Sequence, residues 1–337
     1  MVLIDAIYVN TGGGKVLLDY LIEELEKTDL TVFYLLDSRL RSQNYSIKPS
    51  NIIRFHPPGF VNRYFFYRKN KNSFTKIFCF GNLPPNIKIE GTVYTYFHSI
   101  VYLRIPQEFN RRQKLLFRIK QKIFQRLTKN TNYWLVQSKI MKAGLAQSHQ
   151  IGEEEIFILP FFPGIRKAVT ENLERKSYSF FYPGTAVAYK NHRMLIAAFC
   201  SFYDQYKKGK LILTVSENFN EILLLINDRI AQGYPVVNMG FVGKEEVIHL
   251  YRKSGLVIFP SRAESFGMGL IEATQYGCKV IAADLPYTYD VCVPSLSFDP
   301  YDQHSIEEAL VIAATRELPA ARLLVQNHIS EIIRLLS

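Results

Sequence analysis

No run of eighteen consecutive apolar residues occurs in this chain of 337 residues, so no membrane-spanning helix is expected. The opening MVLIDAIYV is interrupted by Asp5 and has no basic leader, which argues against a signal peptide. The cysteines, Cys79, Cys200, Cys278 and Cys292, form no CxxC pair, and no histidines stand beside them at metal-ligand spacing. Free thiols in a reducing cytoplasm are the expectation. Acidic residues are absent from 111–129, which holds Arg111, Arg112, Lys114, Arg118, Lys120, Lys122, Arg126 and Lys129. Much of the net charge of +11 therefore lies in one segment, and it implies a negative partner: nucleic acid, anionic lipid or a phosphorylated substrate. With 48% hydrophobic residues the chain can bury two substantial cores, so two domains are expected.

What is present is organised around residues 256–283, LVIFPSRAESFGMGLIEATQYGCKVIAA. Two short apolar runs, 256–259 and 280–282, flank a periodic segment closed by Gly277, the pattern of two buried parallel strands joined by a helix. Glu264, Ser265, Phe266 and Gly267 lead into a helix expected to start near Met268. Backbone N–H groups at such a start point outward without partners, and the dipole adds positive potential, so an anion is the natural ligand. Gly267 and Gly269 remove side chains where a phosphate oxygen would approach. Glu264 and Glu272 would overhang the same mouth, suited to accepting hydrogen bonds from sugar hydroxyls on either side of a diphosphate.

The segment ESFGMGLIE, followed by YGCKVIAADLP, resembles the nucleotide-sugar site of retaining glycosyltransferase family 4. The resemblance implies that Glu264 contacts the donor sugar, Glu272 binds the ribose, and the backbone from Ser265 and Phe266 through Gly267 to Met268 holds the diphosphate. It implies a fold of two Rossmann-like doubly wound α/β domains facing across a cleft, the GT-B type. It also implies transfer of a sugar to a hydroxyl with the anomeric configuration retained. No second carboxylate is evident as a glycosyl nucleophile, which favours front-side displacement. No DxD sequence occurs, so neither an obligatory metal nor a cofactor is expected.

In the first half, residues 3–9 read as a buried strand, followed by Asn10, Thr11, Gly12, Gly13 and Gly14 and then by Leu17, Leu18, Leu21, Ile22 and Leu25 at helical spacing. Gly12 and Gly14 form a GxG, and Asp37 ends the next strand where a dinucleotide enzyme binds ribose, but Leu17 occupies the third glycine position. It is not a P-loop either, since no glycine stands five residues before Gly14. In the transferase reading, Gly13 and Gly14 let donor phosphate and acceptor approach the backbone. His98 follows an apolar run at 93–97, where α/β folds place ligands, and the resemblance adds that it touches the donor sugar. Along 111–129, Leu116, Ile119, Ile123 and Leu127 make a helical stripe. Such a helix suits docking on an anionic membrane or packing on the core with a solvated basic face. No nucleic-acid motif accompanies the charge, so nucleic acid is not expected as a partner.

The second half opens with a strand at 180–182 and PGTAVAYKNHRMLIAAF. Lys190 in that loop can meet a diphosphate as a mobile point charge. The family carries Arg directly after the glycine and Lys five residues later; Lys190 matches, but Thr185 stands at the Arg position. The expected domains are 1–164 and 165–317, with a polar linker at 165–176 and helices of 318–337 returning to the first domain. The expected partners are a nucleotide-sugar, UDP- or GDP-linked, and a glycan or lipid-linked saccharide acceptor of bacterial surface polysaccharide synthesis, with a cytoplasmic, peripheral location. The same residues are compatible with a sugar-nucleotide epimerase of the same fold, a silent nucleotide-binding scaffold, or an NAD-dependent dehydrogenase using the GxG.

Overall fold

The computed structural model describes residues 1–164 and 176–337. The expected linker at 165–176 therefore lies outside the described residues except at its last position. Two compact units form, one of Met1–Pro163 with Gln326–Ser337, the other of Gly164–Val325.

In the first unit the elements run β1 (Val2–Ala6), α1 (Gly12–Leu25), β2 (Val32–Asp37), β3 (Ile52–His56), α2 (Phe60–Lys69), β4 (Lys76–Cys79), β5 (Thr92–Phe97), α3 (Arg111–Leu127), β6 (Tyr133–Val136), α4 (Lys139–His149) and β7 (Ile156–Ile158). The strands make one parallel sheet in the order β3-β2-β1-β4-β5-β6-β7. The continuous apolar runs of β1, β2 and β5 follow from burial on both faces of a parallel sheet, each covered by crossover helices. After β1 the chain adds β2 and β3 on one side and then crosses to β4 on the other. That reversal opens a crevice at the carboxyl ends of β1 and β4.

One charged residue sits inside β1. Asp5 is 1% exposed and accepts from Arg63 Nε at 2.8 Å and from the Tyr67 hydroxyl at 2.5 Å. Burial opposes the charge of Arg63, but Asp5 together with Tyr67, Cys79 and Tyr8 outweighs it and holds the guanidinium above the usual arginine range. The remaining guanidinium nitrogens donate to the carbonyls of Pro84 (2.6 Å) and Leu83 (2.8 Å), so one ion pair ties α2 to β1 and to the turn after β4.

The second unit continues with β8 (Lys176–Tyr182), α5 (His192–Tyr206), β9 (Lys210–Leu213), α6 (Asn220–Ala231), β10 (Val236–Asn238), α7 (Lys244–Lys253), β11 (Ser254–Phe259), α8 (Met268–Gln275), β12 (Lys279–Ala283), α9 (Pro286–Val291), β13 (Cys292–Val293), β14 (Leu296–Phe298), α10 (Gln303–Thr315) and β15 (Arg322–Leu323). Its parallel sheet runs β10-β9-β8-β11-β12-β14, with the reversal between β8 and β11.

The expected return at 318–337 is shorter. Residues 318–325 stay with the second unit because β15 pairs antiparallel with β13 and Lys279 donates to the Leu318 carbonyl at 2.7 Å. Only α11 (Ile329–Leu336) joins the first unit. Ile329, Ile332 and Leu336 are buried, His328 N–H donates to the Pro160 carbonyl at 2.8 Å, and Asn327 reaches the Phe162 carbonyl at 2.8 Å.

Removing one partner of the Asp5–Arg63 pair leaves a buried charge unpaired. Asp5→Ala should therefore cost about 3–5 kcal/mol in urea unfolding, and pairing it with Arg63→Met should recover part of that loss. A single-variant cost below about 1 kcal/mol, the worth of an exposed pair, would show that the ion pair does not hold this turn in place.

Candidate active site

In the second unit the reversal between β8 and β11 sends two loops from adjacent strand ends. The loop after β8 ends in a helical turn at Ala188–Lys190, and the loop after β11 carries Ser261 to Gly267. Hydrogen bonds hold each loop in place, and the first of them joins the two. Arg262 N–H donates to the Tyr189 carbonyl at 2.8 Å, the buried Tyr182 hydroxyl donates to the Lys190 carbonyl at 2.9 Å, and Tyr287 donates to the Ser261 carbonyl at 2.6 Å. The result brings Lys190 Nζ to 2.5 Å from Glu264 Oε1, with side chains only 17% and 11% exposed. The ammonium also lies 5.6 Å from the Phe259 ring centroid.

Beside them α8 begins at Met268, as expected. Gly267 takes a left-handed φ of +82°, a conformation that favours glycine. The first helical bond runs from Leu270 N–H to the Gly267 carbonyl at 2.8 Å, so the N–H groups of Met268 and Gly269 stand ahead of it at the positive end of the helix. Gly269 has a different task from the one its position suggests. A Cβ there would lie 2.7 Å from the Phe259 ring, so this glycine lets α8 close on β11 and does not clear space for a phosphate. Glu272, expected to overhang the mouth, is half-buried and accepts from the Tyr251 hydroxyl at 3.0 Å. Burial raises its pKa, while Tyr251 and Lys244 pull it back. Thr185 is exposed, and its neighbour Gly184 donates to Thr214 Oγ1 at 3.0 Å.

In the first unit Gly12, Gly13 and Gly14 form the first turn of α1, with Gly12 at φ +65°. A Cβ on Gly14 would lie 3.4 Å from His98 Nε2, which brings those two together. His98 follows β5 as expected. Its N–H donates to Asn82 Oδ1 at 2.7 Å, and its Nε2 lies 3.4 Å from Asn82 Nδ2. Asn82, in the turn gripped by Arg63, has a left-handed φ of +65°. Burial lowers the His98 pKa to about 4, so the ring is neutral near pH 7 and can offer hydrogen bonds without charge.

His192, at the start of α5, went unremarked in the sequence. It is 2% exposed against the Tyr182 ring at 4.7 Å, and burial with Lys190 nearby lowers its pKa to about 3. Asn82, Tyr182 and Tyr251 were also missed. Each acts on a partner 8 to 21 residues away through a fold contact, and no local spacing announces it.

Residues 166–313 match the family model described as glycosyl transferases group 1. The serotype-specific mannosyltransferase WbdA of Escherichia coli is 31% identical over 113 residues, covering 32% of this chain and 14% of that protein. The O-antigen chain mannosyltransferase RfbU of Salmonella typhimurium is 24% identical over 238 residues, covering 69% of this chain and 63% of that protein. The chain thus spans less than two thirds of either relative. The crystal structure of WaaG, described as a glycosyltransferase involved in lipopolysaccharide biosynthesis, superposes with a TM-score of 0.69 at 16% identity, covering 94% of this chain and 90% of WaaG. The fold is that of the GT-B glycosyltransferases.

Two pH effects follow from the buried groups. Glu272 keeps its proton to higher pH folded than unfolded, where 4.5 applies, so wild-type stability relative to Glu272→Gln should fall as pH climbs above 4.5. Tyr251→Phe removes a bond to the charged form and should extend that fall to higher pH. His98 and His192 titrate below their unfolded value of 6.5, so their contributions are intact above 6.5 and decline as pH drops below it. Each costs up to about 1.4 kcal/mol per pH unit. Urea midpoints of wild type, Glu272→Gln and His192→Phe from pH 4 to 8 test both signs, and parallel profiles would refute them.

Proposed function

We propose that this chain, whose second unit carries the match to group 1 glycosyl transferases, is a retaining enzyme of family 4. In this reading it moves a sugar from a UDP- or GDP-linked donor to a hydroxyl of a lipid-linked glycan in surface polysaccharide assembly. The observation that carries the reading is the pairing of Lys190 with Glu264 across the β8/β11 reversal, beside the amino end of α8. Without donor, the cation and the carboxylate neutralise each other. An arriving diphosphate offers Lys190 a stronger anion and releases Glu264 to accept from sugar hydroxyls.

As the sugar–phosphate bond breaks, negative charge gathers on the departing diphosphate. The N–H groups of Met268 and Gly269, the backbone at Ser265 and Phe266, and Lys190 then stabilise that charge without rearranging. Glu264 steadies the positive charge on the sugar ring, and Glu272 accepts from the ribose. Neutral His98, with Gly14 against it, offers a hydrogen bond to a sugar hydroxyl. Front-side displacement fits a site with a single carboxylate at the sugar, and no metal or cofactor takes part in this reading.

The exposed aliphatic residues of α3 support a peripheral place on an anionic, cytoplasm-facing membrane. Phe124 and Leu127 are buried, but Leu115, Leu116 and Ile119 are 60%, 51% and 49% exposed among the cations of the same helix. Among the described residues no helix is long and apolar enough to cross a membrane. Thr185, exposed where the family carries Arg, favours a second reading: a chain that binds nucleotide and transfers nothing.

In a thermal-shift screen one of UDP, GDP or ADP should stabilise the wild type in the presence of EDTA, by roughly 2.7 kcal/mol at a hundredfold excess over Kd, and Glu272→Ala should lose the response. Turnover of the matching nucleotide-sugar, read by NMR, should give product of unchanged anomeric configuration, and Lys190→Ala should cut kcat by roughly 10²-fold. Stabilisation with no turnover selects the silent reading; stabilisation by NAD alone overturns both. Sedimentation with phosphatidylglycerol vesicles should be lost when Leu115, Leu116 and Ile119 become Ser, and retention would remove α3 from the membrane contact.

A further inference from the structure

The edge strand β3 and helix α2 of the first unit line an open cavity of about 220 Å³ that no part of the proposed donor chemistry uses. Arg54 and His56 line it from one face of β3, since alternate residues of a strand share a face. From α2 it receives Asn62, Phe65, Phe66 and Lys69, which fall on one helical face by their spacing. Two cations, an imidazole and two amides, Asn62 and Asn70, thus converge with no carboxylate among the lining residues. Among the described residues neither Arg54 nor Lys69 pairs with a carboxylate; Arg54 packs over the Phe33 ring at 6.0 Å.

The surrounding chain repeats this bias. From Ser38 to Ile89 there is no Asp or Glu, while Arg39, Arg41, Lys48, Arg54, Arg63, Arg68, Lys69, Lys71, Lys76 and Lys88 fall in the same stretch. Arg63 is committed to Asp5, so the cations at the cavity do not serve that buried pair.

At the rim Phe65, itself a lining residue, is 58% exposed, and the same two elements expose further apolar side chains: Val61 at 64% and Phe60 at 46% on α2, and Ile52 at 44% on β3. A free inorganic anion needs no such rim, and an apolar ligand needs no cations. The cavity is also smaller than the roughly 300–1,000 Å³ of pockets that enclose a drug-sized ligand, so it holds a headgroup whose remainder must leave across the rim.

We infer that this cavity binds a phosphate or diphosphate ester bearing an apolar organic group, with the phosphate on Arg54, His56 and Lys69 and the apolar part against Phe65 and Val61. The inference rests on the acceptor half of the reading above, where it supplies the site for the phosphate that joins a glycan to its lipid. It uses none of the residues proposed for the donor.

Titration calorimetry of the full chain with farnesyl diphosphate, inorganic pyrophosphate, UDP and GDP tests it without any transfer step. Farnesyl diphosphate should bind at least about tenfold more tightly than pyrophosphate, the increment an apolar contact of this size supplies. Arg54→Gln with Lys69→Gln should weaken both by about tenfold or more, through loss of charge-assisted bonds. Phe65→Ser should weaken farnesyl diphosphate alone. Binding of UDP or GDP, unchanged in all variants, shows that they are folded. Equal affinity for farnesyl diphosphate and pyrophosphate marks a free-phosphate site and overturns the inference, as does undiminished binding in the Arg54→Gln and Lys69→Gln variant. If UDP or GDP binds and farnesyl diphosphate does not, the cavity is excluded and the donor site stands. If farnesyl diphosphate binds and neither UDP nor GDP does, the donor reading fails and the cavity stands.

Discussion

A parallel sheet delivers all of its strands to one edge, and the helices that follow them start on that edge with unpaired N–H groups. Most of the chemistry of this protein depends on that constraint. In the second unit the reversal between β8 and β11 leaves two adjacent strand ends whose loops diverge, and Lys190 and Glu264 are the residues those loops bring together. In the first unit the same reversal at β1 and β4 places the Gly12 turn and Asn82 at neighbouring strand ends, with His98 one strand further on.

The strand-end residues of each unit are held by buried polar groups. Tyr182, Ser261 and Tyr287 lock the two loops of the second unit through their carbonyls and hydroxyls. Arg63 does the equivalent work in the first unit, drawing the turn at Leu83 and Pro84 onto the buried Asp5 and so fixing Asn82 against His98. Burial of this kind is costly unless every member is paired, and the pairing then leaves a single geometry. His98 is consequently held neutral and oriented, a hydrogen-bonding group with no charge of its own.

Charge is divided between these two uses. The buried cations and carboxylates position backbone, whereas the excess behind the net charge of +11 lies on α3, α2 and the acid-free stretch at β3. The surface cations sit among exposed Leu, Ile, Val and Phe side chains, so basic and apolar contacts are offered together.

Local pattern made much of the architecture legible. The apolar runs of the parallel strands, the helical stripe of α1 and the start of α8 at Met268 all follow from short-range rules, because burial on both faces and a glycine at positive φ leave few alternatives. The same rules failed where one residue had two possible tasks. Gly269 stood where a phosphate would pass, yet its missing Cβ is needed by Phe259, a strand away. Nor did they show that Glu272 would be held by Tyr251, from a different helix. The tail carried enough apolar residues for several helices, but β15 paired with β13 and only α11 crossed to the first unit. The sequence by itself determined the elements, the excess of positive charge and the residue types available at each strand end, since these depend on neighbours along the chain. Tertiary structure alone decided that Lys190 would meet Glu264, that Asn82 would orient His98, and that Arg54, His56 and Lys69 would line one cavity. Apart from Arg54 and His56, which share one strand, those residues are separated by 13 to 74 positions, and only the fold brings them within reach.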